Sequence, residues 1–195
     1  MMFKSMISGV LCIAACASAL AGPVKYAIDQ NHTFPSFTAD HLGGLSTWRG
    51  RFNATSGTIV LDSEAKTGSI DVQIDPASID FGHEKLENHV KSPDMLDVAK
   101  FPDASYTGKL TKFENGAPTA VEGSLTLHGV TRPVTLRIDS FLCKPHPKTK
   151  KEVCGANASG KINREDFGVS YGKQMGFNMD VGLDIQVEAN KAETE

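Results

Sequence analysis

The four cysteines and six histidines are the residues of this chain best equipped for chemistry, and their spacing decides what chemistry is open to them. His32, His41, His83, His89, His128 and His146 form no H-x-H or H-E-x-x-H pattern, and no C-x-x-C occurs. Such spacings are how a short segment brings several metal ligands together. His83 and His89 are the nearest pair, and their separation puts them on different faces of a helix. No metal ligand is assigned. Acyl transfer has no better footing, because Ser, His and Asp occur often enough in the chain that some triple can always be picked without a spacing that singles one out. Asp166-Phe167-Gly168 matches a kinase tripeptide but stands without a glycine-rich phosphate loop or a catalytic-loop motif. No catalytic residue is assigned either, and the chain reads as a non-enzyme.

The cysteines are governed by compartment. Residues 1–21 carry Lys4, an apolar run from Met6 to Ala15, and the small-residue stretch Ala17-Ser18-Ala19-Leu20-Ala21 before Gly22. This is the layout of a secretory signal peptide. The expectation is export to the periplasm and one mature domain over 22–195. Ile13-Ala14-Ala15-Cys16 supplies an alternative, a lipoprotein anchored through Cys16. Removal of the leader takes Cys12 and Cys16 with it and leaves Cys143 and Cys154 in an oxidising compartment, where a disulfide is the default. The competing reading is a metal site made of the two thiolates and His146. A clip over Lys144 to Val153 contributes about 2 to 3 kcal/mol in the chain-entropy model, and it is expected to lie away from any binding region.

The elements that must position these residues read as strands almost throughout. Ile70, Val72 and Ile74 alternate with Ser69, Asp71, Gln73 and Asp75, the period of two of a half-buried strand. Thr58 to Asp62, Ser124 to His128, Val134 to Asp139 and Gly182 to Glu188 repeat the pattern. Turn chemistry separates them at Lys66-Thr67-Gly68, Glu114-Asn115-Gly116 and Gly129 to Pro133. Pro35 cannot donate to a ladder and so marks an edge or a bulge. One stretch, about residues 83–100, has helical character, with Leu86, Val90 and Met95 on one side and Ser92 before Pro93 as a cap for a second short turn. The chain as a whole has 20 Lys and Arg against 23 Asp and Glu, scattered without a basic stripe, which excludes a nucleic-acid footprint. The expected fold is all-β, a single antiparallel barrel of about eight strands with one short helical segment. Two readings of its interior stay open: an ordinary core whose apolar side chains meet, and a tunnel that holds one small guest.

A set of local patterns then resembles the YceI-like family of exported, lipocalin-like lipid-binding proteins. They are His32 to His41-Leu42-Gly43 with Phe37 between, Gly50-x-Phe52, Gly57-x-Ile59-x-Leu61-Asp62, Leu96 to Tyr106, Gly123 to Val134, and Arg164 to Gly168, in that order from about residue 26 to 189. The resemblance implies a barrel whose tunnel holds a long apolar lipid, a polyisoprenoid or isoprenoid quinone, with no cofactor besides that lipid and no covalent chemistry. Carried onto this sequence, the cavity residues are Phe37, His41, Trp48, Phe52, Ile59, Leu61, Ile70, Val72, Leu96, Phe101, Tyr106, Leu125, Leu127, Leu136 and Phe167. Storage or transport of that lipid is the expected role. The alternative is an accessory protein that presents or sequesters a quinone for a membrane redox or stress-response component. Partners are then the lipid itself and a transient membrane or membrane-protein contact, for a monomer or homodimer.

Overall fold

The structure, a computed structural model, describes residues 22–193. The expected export segment, with Cys12 and Cys16, and the last two residues of the polar tail lie outside the described residues. In chain order the elements are β1 (Val24–Ile28), β2 (Phe34–His41), β3 (Ser46–Phe52), β4 (Thr55–Asp62), β5 (Thr67–Ile74), β6 (Ile79–Asp80), the helix α1 (Glu84–Lys91), β7 (Ala104–Glu114), β8 (Ala117–Leu127), β9 (Val130–Pro145), β10 (Glu152–Asn163) and β11 (Asp180–Lys191). Eight of the strands, in the order β1-β4-β5-β7-β8-β9-β10-β11, close into an antiparallel barrel sealed by Tyr26↔Lys191, Ala27↔Asn190 and Ile28↔Ala189. This is the expected all-β architecture. The edge of β11 is shared, its last residues pairing with β1 and its first, from Val181 to Gln186, with β2. β3 is added to the free edge of β2 and carries β6 on its own. The wall therefore has one more strand at this end than at the end where β1 closes it. Pro35 faces Ile185 of β11 but precedes the β2–β3 register, which begins at Ser36↔Arg51, so its missing N–H falls where β2 is an edge.

Two tight hairpins have positive φ at both turn residues, Asn115-Gly116 (50° and 82°) and His128-Gly129 (52° and 70°), the backbone that matches strand twist in two-residue loops. The second is shorter than its sequence suggests, since Thr131, Arg132 and Pro133 already belong to β9. The β9–β10 register slips between Asn157↔Ser140 and Ala158↔Ile138, which leaves Asp139 as an extra residue. A slip of one residue flips every following side chain. Leu136 and Ile138 face inward before the bulge, whereas Phe141 and Cys143 do so after it and Leu142 is turned out to solvent.

The helix is shorter than residues 83–100. It stops at Lys91 because Ser92 is extended ahead of Pro93, and the chain continues in turns held by Met95 and Asp97 N–H groups on the Ser92 carbonyl. The Ser92 hydroxyl itself caps nothing. At the other end the Nδ1 of His83 accepts from the Leu86 N–H at 3.2 Å, while the Glu87 carboxylate accepts from the N–H groups of Phe81 and His83. Leu86 and Val90 turn toward the barrel and pack with Ile79, Met95, Leu96 and Val169. This small cluster meets the main barrel core through Phe37 and Leu127, which touch both.

Candidate ligand cavity

The inward-facing side chains do not meet across the barrel. They enclose a cavity of about 730 Å³, within the ~300–1,000 Å³ typical of small-molecule sites. Its wall is apolar for most of its length. Ile59, Ile70, Val72, Leu125, Leu136 and Leu183 surround the middle, each on the inward parity of its strand. One end is blind. Tyr26, Leu61, Leu110, Pro118, Cys154 and Ala189 line it beside the hairpins and all are buried. The other end opens between α1, the β2–β3 tip and the loop before β11, past His41, Leu42, Trp48, His83, Lys85, His89, Tyr171, Met175 and Phe177.

Phe37, His41, Trp48, Phe52, Ile59, Leu61, Ile70, Val72, Leu96, Tyr106, Leu125, Leu127 and Leu136 all stand in this wall. Phe101 and Phe167 do not. Phe167 is 1% exposed inside the barrel core, and its carbonyl is hydrogen-bonded to His128 Nδ1 at 3.0 Å. The Phe101 ring packs on that same imidazole at 4.4 Å, against Gly129. The Phe167 backbone and the Phe101 ring thus both hold the β8–β9 turn, and neither side chain reaches the cavity. The wall also holds Leu110, Pro118, Phe141, Cys154 and Met175, which were not anticipated. The Cys143–Cys154 disulfide is present, on residues directly opposite one another. It does not lie away from the cavity: the bulge turns Cys143 inward, and Cys154 forms part of the blind end.

Polar groups that reach the interior are mostly satisfied within the protein. Tyr106 donates to the Val134 carbonyl at 2.8 Å, crossing Gly123, where an added Cβ would lie 2.7 Å from the tyrosine ring. Thr33 exchanges hydrogen bonds with the Glu188 backbone, Tyr26 donates to the Glu152 carboxylate, and Arg164 donates to the carbonyls of Val169 and Tyr171. Among the described residues, Thr55 has the one cavity-wall hydroxyl that is buried without a partner. The histidines are occupied structurally. His32 pairs with Asp29 on the surface, His146 accepts two N–H groups of its own turn, and His41 and His89 lie edge-on to Trp48 and Tyr171. Such an arrangement can hold and orient an apolar molecule.

Burial pushes the Tyr106 phenol up to about 12, and burial followed by the Glu152 carboxylate raises that of Tyr26 as well. The unfolded chain ionises at the ordinary value near 10, where the fold still holds both protons. The contribution of these phenols to stability is therefore complete below pH 10 and declines as pH rises through 10 to 12. The expected slope is about 1.4 kcal/mol per pH unit for each phenol. Urea midpoints at pH 9, 10 and 11, read beside tyrosine difference absorbance, check this; a flat midpoint over that range contradicts it.

Comparison with known proteins agrees with this architecture. The family described as YceI-like domain matches residues 26–190. A UPF0312 protein of Pseudomonas putida is 32% identical over 194 residues, covering 98% of this chain and 99% of its own length. The crystal structure of the Campylobacter jejuni YCEI protein superposes with a TM-score of 0.62 at 29% identity, over 76% of this chain and 88% of that one. A polyisoprenoid binding domain from Saccharophagus degradans has the same fold, with a TM-score of 0.62 at 16% identity over 87% of this chain and 99% of that one. On sequence and fold together, the chain belongs to the YceI-like domain family.

Proposed function

We propose that this protein binds one long apolar lipid, a polyisoprenoid or isoprenoid quinone, non-covalently inside the barrel, and stores or carries it in the periplasm after loss of residues 1–21. The observation that carries the reading is the apolar, single-mouthed cavity of about 730 Å³. Water gains little there, whereas each methylene that enters is worth roughly 0.8 kcal/mol. About twenty such groups contribute on the order of 16 kcal/mol, enough to exceed an association cost of ~4–15 kcal/mol. Methylenes discriminate weakly between similar chains, so selectivity rests on length, branching and the few polar contacts. The Thr55 hydroxyl, and the side chains of His41 and Trp48 at the mouth, are where an oxygen-bearing end of the guest would find partners. No group in the wall is arranged as a nucleophile with a base, which supports a binding role over a catalytic one.

The test is direct. Organic extraction of freshly purified full-length protein, followed by mass spectrometry, is expected to yield a long isoprenoid at close to one per chain. An empty extract, together with no uptake of added isoprenoid quinone, would overturn the proposal.

A further inference from the structure

The large apolar side chains that the fold leaves in water are not scattered. Among the described residues these are Leu42, Leu45, Tyr171, Met175 and Leu142, exposed by 50%, 73%, 41%, 56% and 62%. All except Leu142 lie on two touching loops at the mouth of the cavity. The β2–β3 tip brings Gly43 so close to the Gly176 carbonyl that an added Cβ would lie 2.9 Å from its oxygen. The Asp40 carboxylate ties the loops together by accepting from the N–H groups of Gly43, Gly44 and Asn178. Leu42, Tyr171 and Met175 also line the cavity, so the patch outside and the wall inside form one continuous apolar surface.

From this we infer that the mouth rim is a membrane-docking surface, with the interfacial layer of a zwitterionic phospholipid bilayer as its partner. The inference rests on the cavity reading, because a guest that prefers hydrocarbon has to reach the mouth from an apolar phase. Seating the rim in a bilayer removes water from that path. The charge pattern fits a neutral interface. Residues 42–45 carry no charge, and the one charged residue in 171–177, Lys173, is paired with Glu165. Lys85 at the opposite lip can reach a lipid phosphate from its long stem.

The experiment is flotation of the full chain with vesicles of phosphatidylcholine alone and of phosphatidylcholine with one quarter phosphatidylglycerol, at low and high salt. The expected result is binding to both, little changed by salt, and lowered about tenfold by combining Leu45→Ser with Met175→Ser. Leu142→Ser, equally exposed but remote from the mouth, is expected to bind like the parent chain. No vesicle binding, equal binding of all variants, or binding only to the anionic vesicles and lost in salt would each overturn the inference. So would a rim variant that changes the oligomeric state in solution, which would give the patch to a second copy of the chain. Lipid content of Leu45→Ser, measured in parallel, separates the two claims. Leu45 is outside the cavity wall, so a filled cavity without docking sinks this inference alone, and docking by a chain that never holds lipid sinks the cavity reading.

Discussion

Leu127→Asp is expected to lower the unfolding free energy by about 3 to 5 kcal/mol and to leave the protein without bound lipid. Leu127 is the last residue of β8, and it packs against both the barrel core and the smaller cluster under α1 while lining the cavity. A carboxylate there either ionises without a counter-charge or takes up a proton and stays poorly hydrogen-bonded. Both states are costly in an apolar wall. The volume-conserving change Leu127→Met is expected to cost under about 1.5 kcal/mol and to keep the lipid. Urea unfolding and mass spectrometry of the extract provide both readings. A folded Leu127→Asp protein with undiminished lipid would place the ligand elsewhere.

The second large effect is expected at the disulfide. Replacing Cys143 and Cys154 together by Ala lengthens the unfolded chain's freedom by the loop they close, at a cost of about 2 to 3 kcal/mol. Because the bridge forms part of the blind end, the same replacement also enlarges the cavity there and is expected to weaken retention of the guest. Reductant should reproduce the stability loss in the parent protein and have no effect on the double variant. A reductant-insensitive parent, or two titratable thiols in the native state, contradicts the bond.

Most of the architecture was legible in the sequence because a period of two says both that a segment is a strand and which face it buries. Ile70, Val72 and Ile74 show this: polar neighbours alternate with them, and the structure sets Ile70, Val72 and Ile74 in the cavity wall. Periodicity fails where the backbone slips. Counting by twos from Leu136 and Ile138 sends Leu142 inward, yet the bulge at Asp139 reverses the parity and delivers Phe141 and Cys143 instead. No residue type at that point announces the bulge. Phe101 and Phe167 were misplaced for a different reason. Hydrophobicity marks a side chain for burial but not against which neighbour: Phe167 is buried in the barrel core without reaching the cavity, and the half-buried Phe101 packs on the His128 ring at the β8–β9 turn. The helical stretch was overextended because Met95 shares the apolar face of Leu86 and Val90 in space without sharing their helix. The cavity itself has no local signature: a stripe of apolar residues looks the same whether it packs on itself or on a guest.

The unequal strand count at the two ends has a mechanical consequence. With β1 drawing the wall shut at one end and β3 wedged in at the other, the enclosure is a funnel with a sealed stem. Whatever goes in must come back out by the same door, tail first in and head first out. A vessel of that shape can ferry cargo from one place to another, but it cannot serve as a conduit through which cargo streams.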